Sequence, residues 1–191
     1  DTDVTKILYD NLDGHAVSNG VSMNLDVVYK NWSLLLGSTL MEVYSEENGE
    51  RTRQELTEKF SGTWSLTYKL KKHGITFDYN GNLYSPMELP TLGPTDPRPT
   101  SSPWYSIQNI QVTKQLGTRL EIYGGIKNIL NWTPWKNLST PIITRTEDPF
   151  DKTIDENNPN DLGFDPAYVY GPNQGIRGFL GLRYNFNKKQ K

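Results

Sequence analysis

Ile176-Arg177-Gly178-Phe179-Leu180-Gly181-Leu182-Arg183-Tyr184-Asn185-Phe186 is the stretch on which the reading of this chain turns. Taken in twos, Ile176, Gly178, Leu180, Leu182, Tyr184 and Phe186 fall on one side, and Arg177, Phe179, Gly181, Arg183 and Asn185 on the other. Successive side chains of a strand point to opposite faces, so this is a ribbon with one apolar and one mostly polar face. A half-buried strand of a soluble sandwich alternates in the same way. The discrimination comes from how often, and over what length, the chain repeats the pattern.

Upstream it repeats several times. Residues 4–9 give a short first candidate strand, and Val21, Met23, Leu25, Val27 and Tyr29 align against Gly20, Ser22, Asn24, Asp26 and Lys30. After a tight turn at Lys30-Asn31, a strand from Trp32 to Tyr44 aligns Trp32, Leu34, Leu36 and Leu40. The charged stretch from Glu46 to Arg53 reads as a polar loop. Beyond it Phe60, Gly62, Trp64, Leu66, Tyr68 and Leu70 oppose Lys59, Ser61, Thr63, Ser65, Thr67 and Lys69, the most regular segment of the chain. A turn at 71–74 leads to Ile75, Phe77, Tyr79, Gly81 and Leu83 on one face. Prolines between Pro90 and Pro103 deny a central strand its backbone donors and mark a loop. In 104–114, Tyr105 and Ile107 share one parity while Ile110 and Val112 share the other, which predicts a one-residue bulge. A turn at 115–118 precedes Leu120, Ile122, Gly124 and Ile126, and 131–175 shows no sustained period before the terminal strand.

Composition narrows the classes. A net charge of -2 over 191 residues supplies no basic field for nucleic acid. Cysteine is absent, which removes disulfides and thiolate metal sites. The hydrophobic fraction is 35% and the aromatic fraction 12%, and no apolar run approaches the ~18 residues of a membrane helix. Low hydrophobicity is compatible with a membrane barrel, whose strands present only alternate residues to lipid. Because the chain starts at Asp1 in mid-pattern, it is expected to be a piece of a longer polypeptide.

The connections alternate in length: 30–31, 71–74 and 115–118 are short, and 46–53, 88–103 and 131–175 are long. Consecutive strands reverse direction, so the short turns share one end and the long loops the other. Tyr29, Trp32, Tyr68, Phe77, Tyr184 and Phe186 gather toward the short-turn end. Short turns at one rim, long loops at the other and an aromatic girdle describe an outer-membrane barrel. Closure is then required, because an open edge leaves backbone N–H and C=O groups unsatisfied in hydrocarbon. A soluble sandwich or lipocalin-like barrel is the alternative. Against it stand expected strands of about 12 to 16 residues, where globular sheets average ~5–6. The Ser, Thr, Lys, Asp and Asn of the second face also suit a wet lumen.

Three motifs carry a family resemblance. Gly125-Ile126-Lys127-Asn128-Ile129-Leu130-Asn131 resembles the penultimate-strand motif of TonB-dependent outer-membrane receptors. Asp165-Pro166-Ala167-Tyr168-Val169-Tyr170-Gly171-Pro172, followed by Gly178 to Phe186, is similar to their closing loop and last strand, and Ile110-Gln111-Val112-Thr113-Lys114 is similar to a third recurring piece. The resemblance implies an all-β fold: a transmembrane antiparallel β-barrel, of which this chain supplies about eight C-terminal strands out of 22, with long outer loops and short periplasmic turns. Residues 1–186 would form that wall, 131–175 its large outer loop and 187–191 a basic tail. Gly181, Tyr184 and Phe186 match the family's assembly signal, and five residues, three of them lysines, follow Phe186.

As for chemistry, His15 and His73 are far apart and near predicted strand ends, so no base-plus-nucleophile arrangement arises and no enzyme activity or cofactor is expected. Glu147, Asp148, Asp151, Asp155, Glu156, Asp161 and Asp165 supply enough oxygen ligands for calcium, but fit no EF-hand spacing. Trp132, Trp135, Tyr168 and Tyr170 on the outer loop are candidates for gripping a bulky ligand. The resemblance implies the expected function: active import of a scarce bulky nutrient, namely a ferric siderophore, haem or cobalamin, across the outer membrane of a Gram-negative bacterium. The resemblance implies the partners: outer-membrane lipid, the remaining strands and plug domain, and TonB acting through an N-terminal part that this sequence lacks. The alternative is a self-contained eight-stranded outer-membrane barrel serving as an anchor or small membrane enzyme.

Overall fold

Alternation becomes strand wherever the sequence sustains it. A computed structural model describes residues 13–90, 98–134 and 168–186. Over these, the strands are β1 (Gly14–Tyr29), β2 (Trp32–Glu47), β3 (Glu50–Arg53), β4 (Phe60–Leu70), β5 (Ile75–Tyr84), β6 (Tyr105–Leu116), β7 (Leu120–Lys127) and β8 (Arg177–Tyr184). All pair antiparallel in one sheet of order β1-β2-β4-β5-β6-β7-β8, and β3 pairs with β2 off this path. The fold is an all-β meander. It is open: among the described residues β1 and β8 are its two edges, and no ladder joins them. The candidate strand 4–9 and the tail 187–191 lie outside the described residues.

Register does what a single strand's periodicity cannot, because it puts the main apolar set of each long strand on the same face. One row runs Tyr29, Trp32, Tyr68, Phe77 and Val112 through directly opposed partners. The next runs Val27, Leu34, Leu66, Tyr79, Ile110 and Ile126, and a third carries Leu25, Leu36 and Trp64. In β8, Leu180, Leu182 and Tyr184 continue this face opposite Gly124, Ile122 and Leu120. Two polar tips on it satisfy each other, Tyr79 Oη donating to Gln108 Oε1 at 2.8 Å. The face is uncovered: Met23 is 69% and Leu180 82% exposed.

The second face is polar and knitted across strands. Ser22 and Thr39 hydroxyls lie 3.0 Å apart, the Thr67 hydroxyl donates to Asp78 at 2.7 Å, and Asn109 Nδ2 donates to Asn80 Oδ1 at 2.9 Å. Arg183 pairs with Glu121 at 3.2 Å. Cross-strand pairs of this kind stabilise a sheet that has little packed core.

Three expectations need correction. The stretch 46–53 is a hairpin, not a loop: β2 runs to Glu47, Asn48 and Gly49 turn with φ of 52° and 80°, and β3 pairs back from Glu50. Asn-Gly supplies the two left-handed positions that such a turn needs, and charges are tolerated on a solvent-facing tip. Strand length also departs from the expected 12 to 16 residues: β1 and β2 run 16 and β6 12, whereas β4, β5, β7 and β8 run 11, 10, 8 and 8. No bulge interrupts β6, whose pairing with β5 is continuous from Tyr84↔Tyr105 to Ile75↔Lys114. The parity break is real but means something else, since Tyr105 and Ile107 belong to the polar face, where a small cluster covers them. The short turns at 30–31, 71–74 and 117–119 do share one end, as the antiparallel order demands.

Candidate functional site

The buried core is at the other end, where the long connections meet. Met87, Leu89, Tyr105, Tyr168 and Tyr170 form it, with Tyr84, Ile107 and Trp132 packed against it. Tyr105, the first residue of β6, is its hinge. Its ring stacks on Trp132 at 4.2 Å with an 8° interplanar angle, on Tyr84 at 4.9 Å, and meets Tyr170 edge-on at 5.9 Å. Its hydroxyl donates to the Tyr170 carbonyl at 2.8 Å. Tyr168 is 1% exposed; its hydroxyl donates to the Pro99 carbonyl at 2.6 Å, and the Arg98 guanidinium lies 4.3 Å from its ring centroid. Burial pushes the Tyr170 phenol up to about 12.

Two asparagines tie the feet of the last long connection together. Asn128 follows β7 with φ of 52° and is 3% exposed. Its amide donates to the Trp132 carbonyl at 2.7 Å and the Gln174 carbonyl at 3.2 Å, while its Oδ1 accepts from the Trp132 N–H at 3.0 Å. Asn131 Oδ1 accepts from the Ile176 N–H at 2.9 Å. A Cβ on Gly175 would overlap that same oxygen, and one on Gly171 would strike the Trp132 ring. The motif 125–131 and the segment 168–178, distant in sequence, are thus halves of one clasp.

Beside the clasp opens a depression of about 650 Å³, lined by Pro86, Ser102, Trp104, Trp132, Pro134 and Tyr170 among others. Aromatic walls with a few hydroxyls can stack a planar or ring-bearing ligand while fixing its orientation. Of the sequence candidates, Trp132 is half-buried and lines this depression, Tyr170 contributes a buried wall, and Tyr168 sits beneath in the cluster. Trp135 lies outside the described residues, as do the acidic residues considered for calcium. Among the described residues no group of three His, Asp or Glu side chains is placed to hold a metal. His15 and His73 are exposed, in β1 and in the 3-10 turn Lys71–His73.

Gly181, Tyr184 and Phe186 are not part of this site. Gly181 lies on the polar face beneath the Tyr123 ring, where a side chain would collide. Tyr184 and Phe186 lie together at the short-turn end, rings 4.9 Å apart at 73°. Sequence reasoning missed Met87, Leu89, Arg98, Tyr105 and Asn128 as site residues. For Tyr105 the signal was the parity break itself. No family model matches this chain, and no match is found among curated proteins.

Proposed function

We propose that the chain is a section of the wall of an outer-membrane β-barrel, the C-terminal part of a TonB-dependent transporter that imports a scarce bulky nutrient. The observation that carries this is the apolar face: strand after strand puts most of its large hydrophobic residues on one side and leaves them uncovered, with Val28 and Leu35 the exposed exceptions on the other. Soluble proteins rarely expose contiguous apolar patches above a few hundred Å². From Val21 to Tyr29 the face extends about 27 Å along the strand at ~3.4 Å per residue, or about 21 Å of height at a tilt of ~40°, close to the ~25 Å apolar band of such barrels. The unpaired edges of β1 and β8 are where neighbouring strands of a wider wall would continue.

In this reading the protein does no covalent chemistry. Its loops bind, a plug rearranges, and energy enters from the inner membrane through a part of the protein beyond this chain. Trp132 and the depression beside it form the outward-facing contact for ligand, and the clasp keeps them in place. Cells lacking the protein are expected to lose energised accumulation of one labelled ligand when ferric siderophores, haem and cobalamin are tried in turn. Accumulation of all three at unchanged rates would contradict the transport assignment.

A further inference from the structure

The two ends of the sheet differ in charge: one is basic, the other mixed. At the short-turn end Lys30, Lys71, Lys72 and Arg119 in three turns join Lys69 and Lys114 at the adjoining strand ends, and residues 29–33, 69–76 and 114–120 contain no carboxylate. The nearest acids face the polar side: Glu121 is paired with Arg183 at 3.2 Å, Asp78 accepts from Thr67 at 2.7 Å, and Asp26 is opposite Leu35. The long-connection end instead mixes both signs: Glu42 pairs with Arg51 at 3.3 Å and Glu88 with Arg53 at 3.9 Å, and the end carries Glu46, Glu47 and Glu50 as well as Lys59, Arg98, Lys127 and Arg177.

Lys114 is the telling position. Its partners across the sheet are Ile75 and Ile122, so it lies on the apolar face. Its ammonium turns to the His73 carbonyl in the neighbouring turn. A lysine on a lipid-facing surface lays its stem along the apolar neighbours and carries its head to the interface. The aromatic row of Tyr29, Trp32, Tyr68 and Phe77 runs one step above, with the Lys30 ammonium 5.0 Å from the Tyr29 ring centroid. Apolar band, aromatic row and cations therefore succeed one another in the order in which acyl chain, glycerol and phosphate succeed one another in a bilayer leaflet.

We infer that the short-turn rim is a binding surface for anionic glycerophospholipid headgroups, with Lys30, Lys71, Lys72 and Arg119 around the phosphates and Lys114 at the boundary. This rests on the membrane-wall reading and adds to it a lipid preference, which a neutral or acidic rim would not have.

The test compares spin-labelled phosphatidylglycerol with spin-labelled phosphatidylcholine around the full-length protein reconstituted in phosphatidylcholine vesicles. The protein is expected to hold motionally restricted lipid of both kinds and to prefer phosphatidylglycerol about fivefold at low salt, the magnitude of one lysine–headgroup contact. The preference should vanish when Lys30→Gln, Lys71→Gln, Lys72→Gln and Arg119→Gln are combined, and survive when the three lysines become arginine. Restricted lipid without preference, or preference unaffected by the glutamines, overturns this inference and leaves the wall reading standing. No restricted lipid of either kind overturns both.

Discussion

Leu66 and Thr67 are neighbours in β4 with opposite fates. Leu66 lies in the middle row of the apolar face, between Leu34 and Tyr79, whereas Thr67 bonds to Asp78 on the polar face. A cation at mid-depth on a lipid face costs about 2–4 kcal/mol. Leu66→Arg should therefore destabilise the folded protein in lipid by about that amount. Thr67→Arg should cost much less, since Asp78 offers its guanidinium a partner. Denaturant titration in vesicles measures both, and equal costs would show that the faces have been assigned wrongly. A second residue-scale consequence concerns Tyr170. The cluster holds the protonated phenol, so its contribution is complete below the ordinary value of 10.0 and is lost as pH rises toward about 12. Trp132, whose ring lies 6.0 Å from that of Tyr170 and tilted at 59°, should report this as a change in fluorescence within that window, and Tyr170→Phe should remove it. A change already complete below pH ~9 would contradict the buried placement.

Among the elements, the last long connection is the one built to be altered. Its feet are joined by Asn128 and Asn131 before it leaves the described residues and after it returns. Loop closure entropy grows slowly with length, so residues 136–164 can be removed at little cost while the clasp remains. The sheet should still resist heat and denaturant after that deletion, and on the proposed transport reading ligand uptake should weaken; a deletion that unfolds the sheet would show that the loop is structural. This clasp also marks where the sequence stopped being legible. The alternation of β4 and β5 states its own meaning, because a strand's period is local. That Tyr105 stacks on Trp132 depends on chain outside its own strand, and that it bonds to Tyr170 depends on chain returning from 65 residues away; periodicity records neither partner. Tyr105 could only look like a broken pattern, and the bulge inferred from it was a reasonable local answer to a non-local contact. At 46–53 charge outweighed the Asn48-Gly49 turn signal, although that dipeptide is the stronger one.

At the scale of the whole molecule, the sheet inverts the usual economy of a fold. Among the described residues its largest apolar surface is exposed, and the buried core is a handful of residues at one end. The sequence made the faces and the direction of the turns legible, since both follow from strand parity and antiparallel order. It could not show the register that merges separate apolar stripes into one surface, which depends on pairing. The account stands on what that surface touches. The most direct measurement is quenching of tryptophan fluorescence by lipids brominated along their acyl chains, with one tryptophan retained at a time and the others replaced by phenylalanine. Trp64, in the third row of the apolar face, should be strongly quenched by deep bromines and shielded from aqueous iodide, while Trp132 in the clasp should be indifferent to the bromines. Trp64 quenched by iodide and untouched by brominated lipid would contradict the central claim that this face meets the membrane.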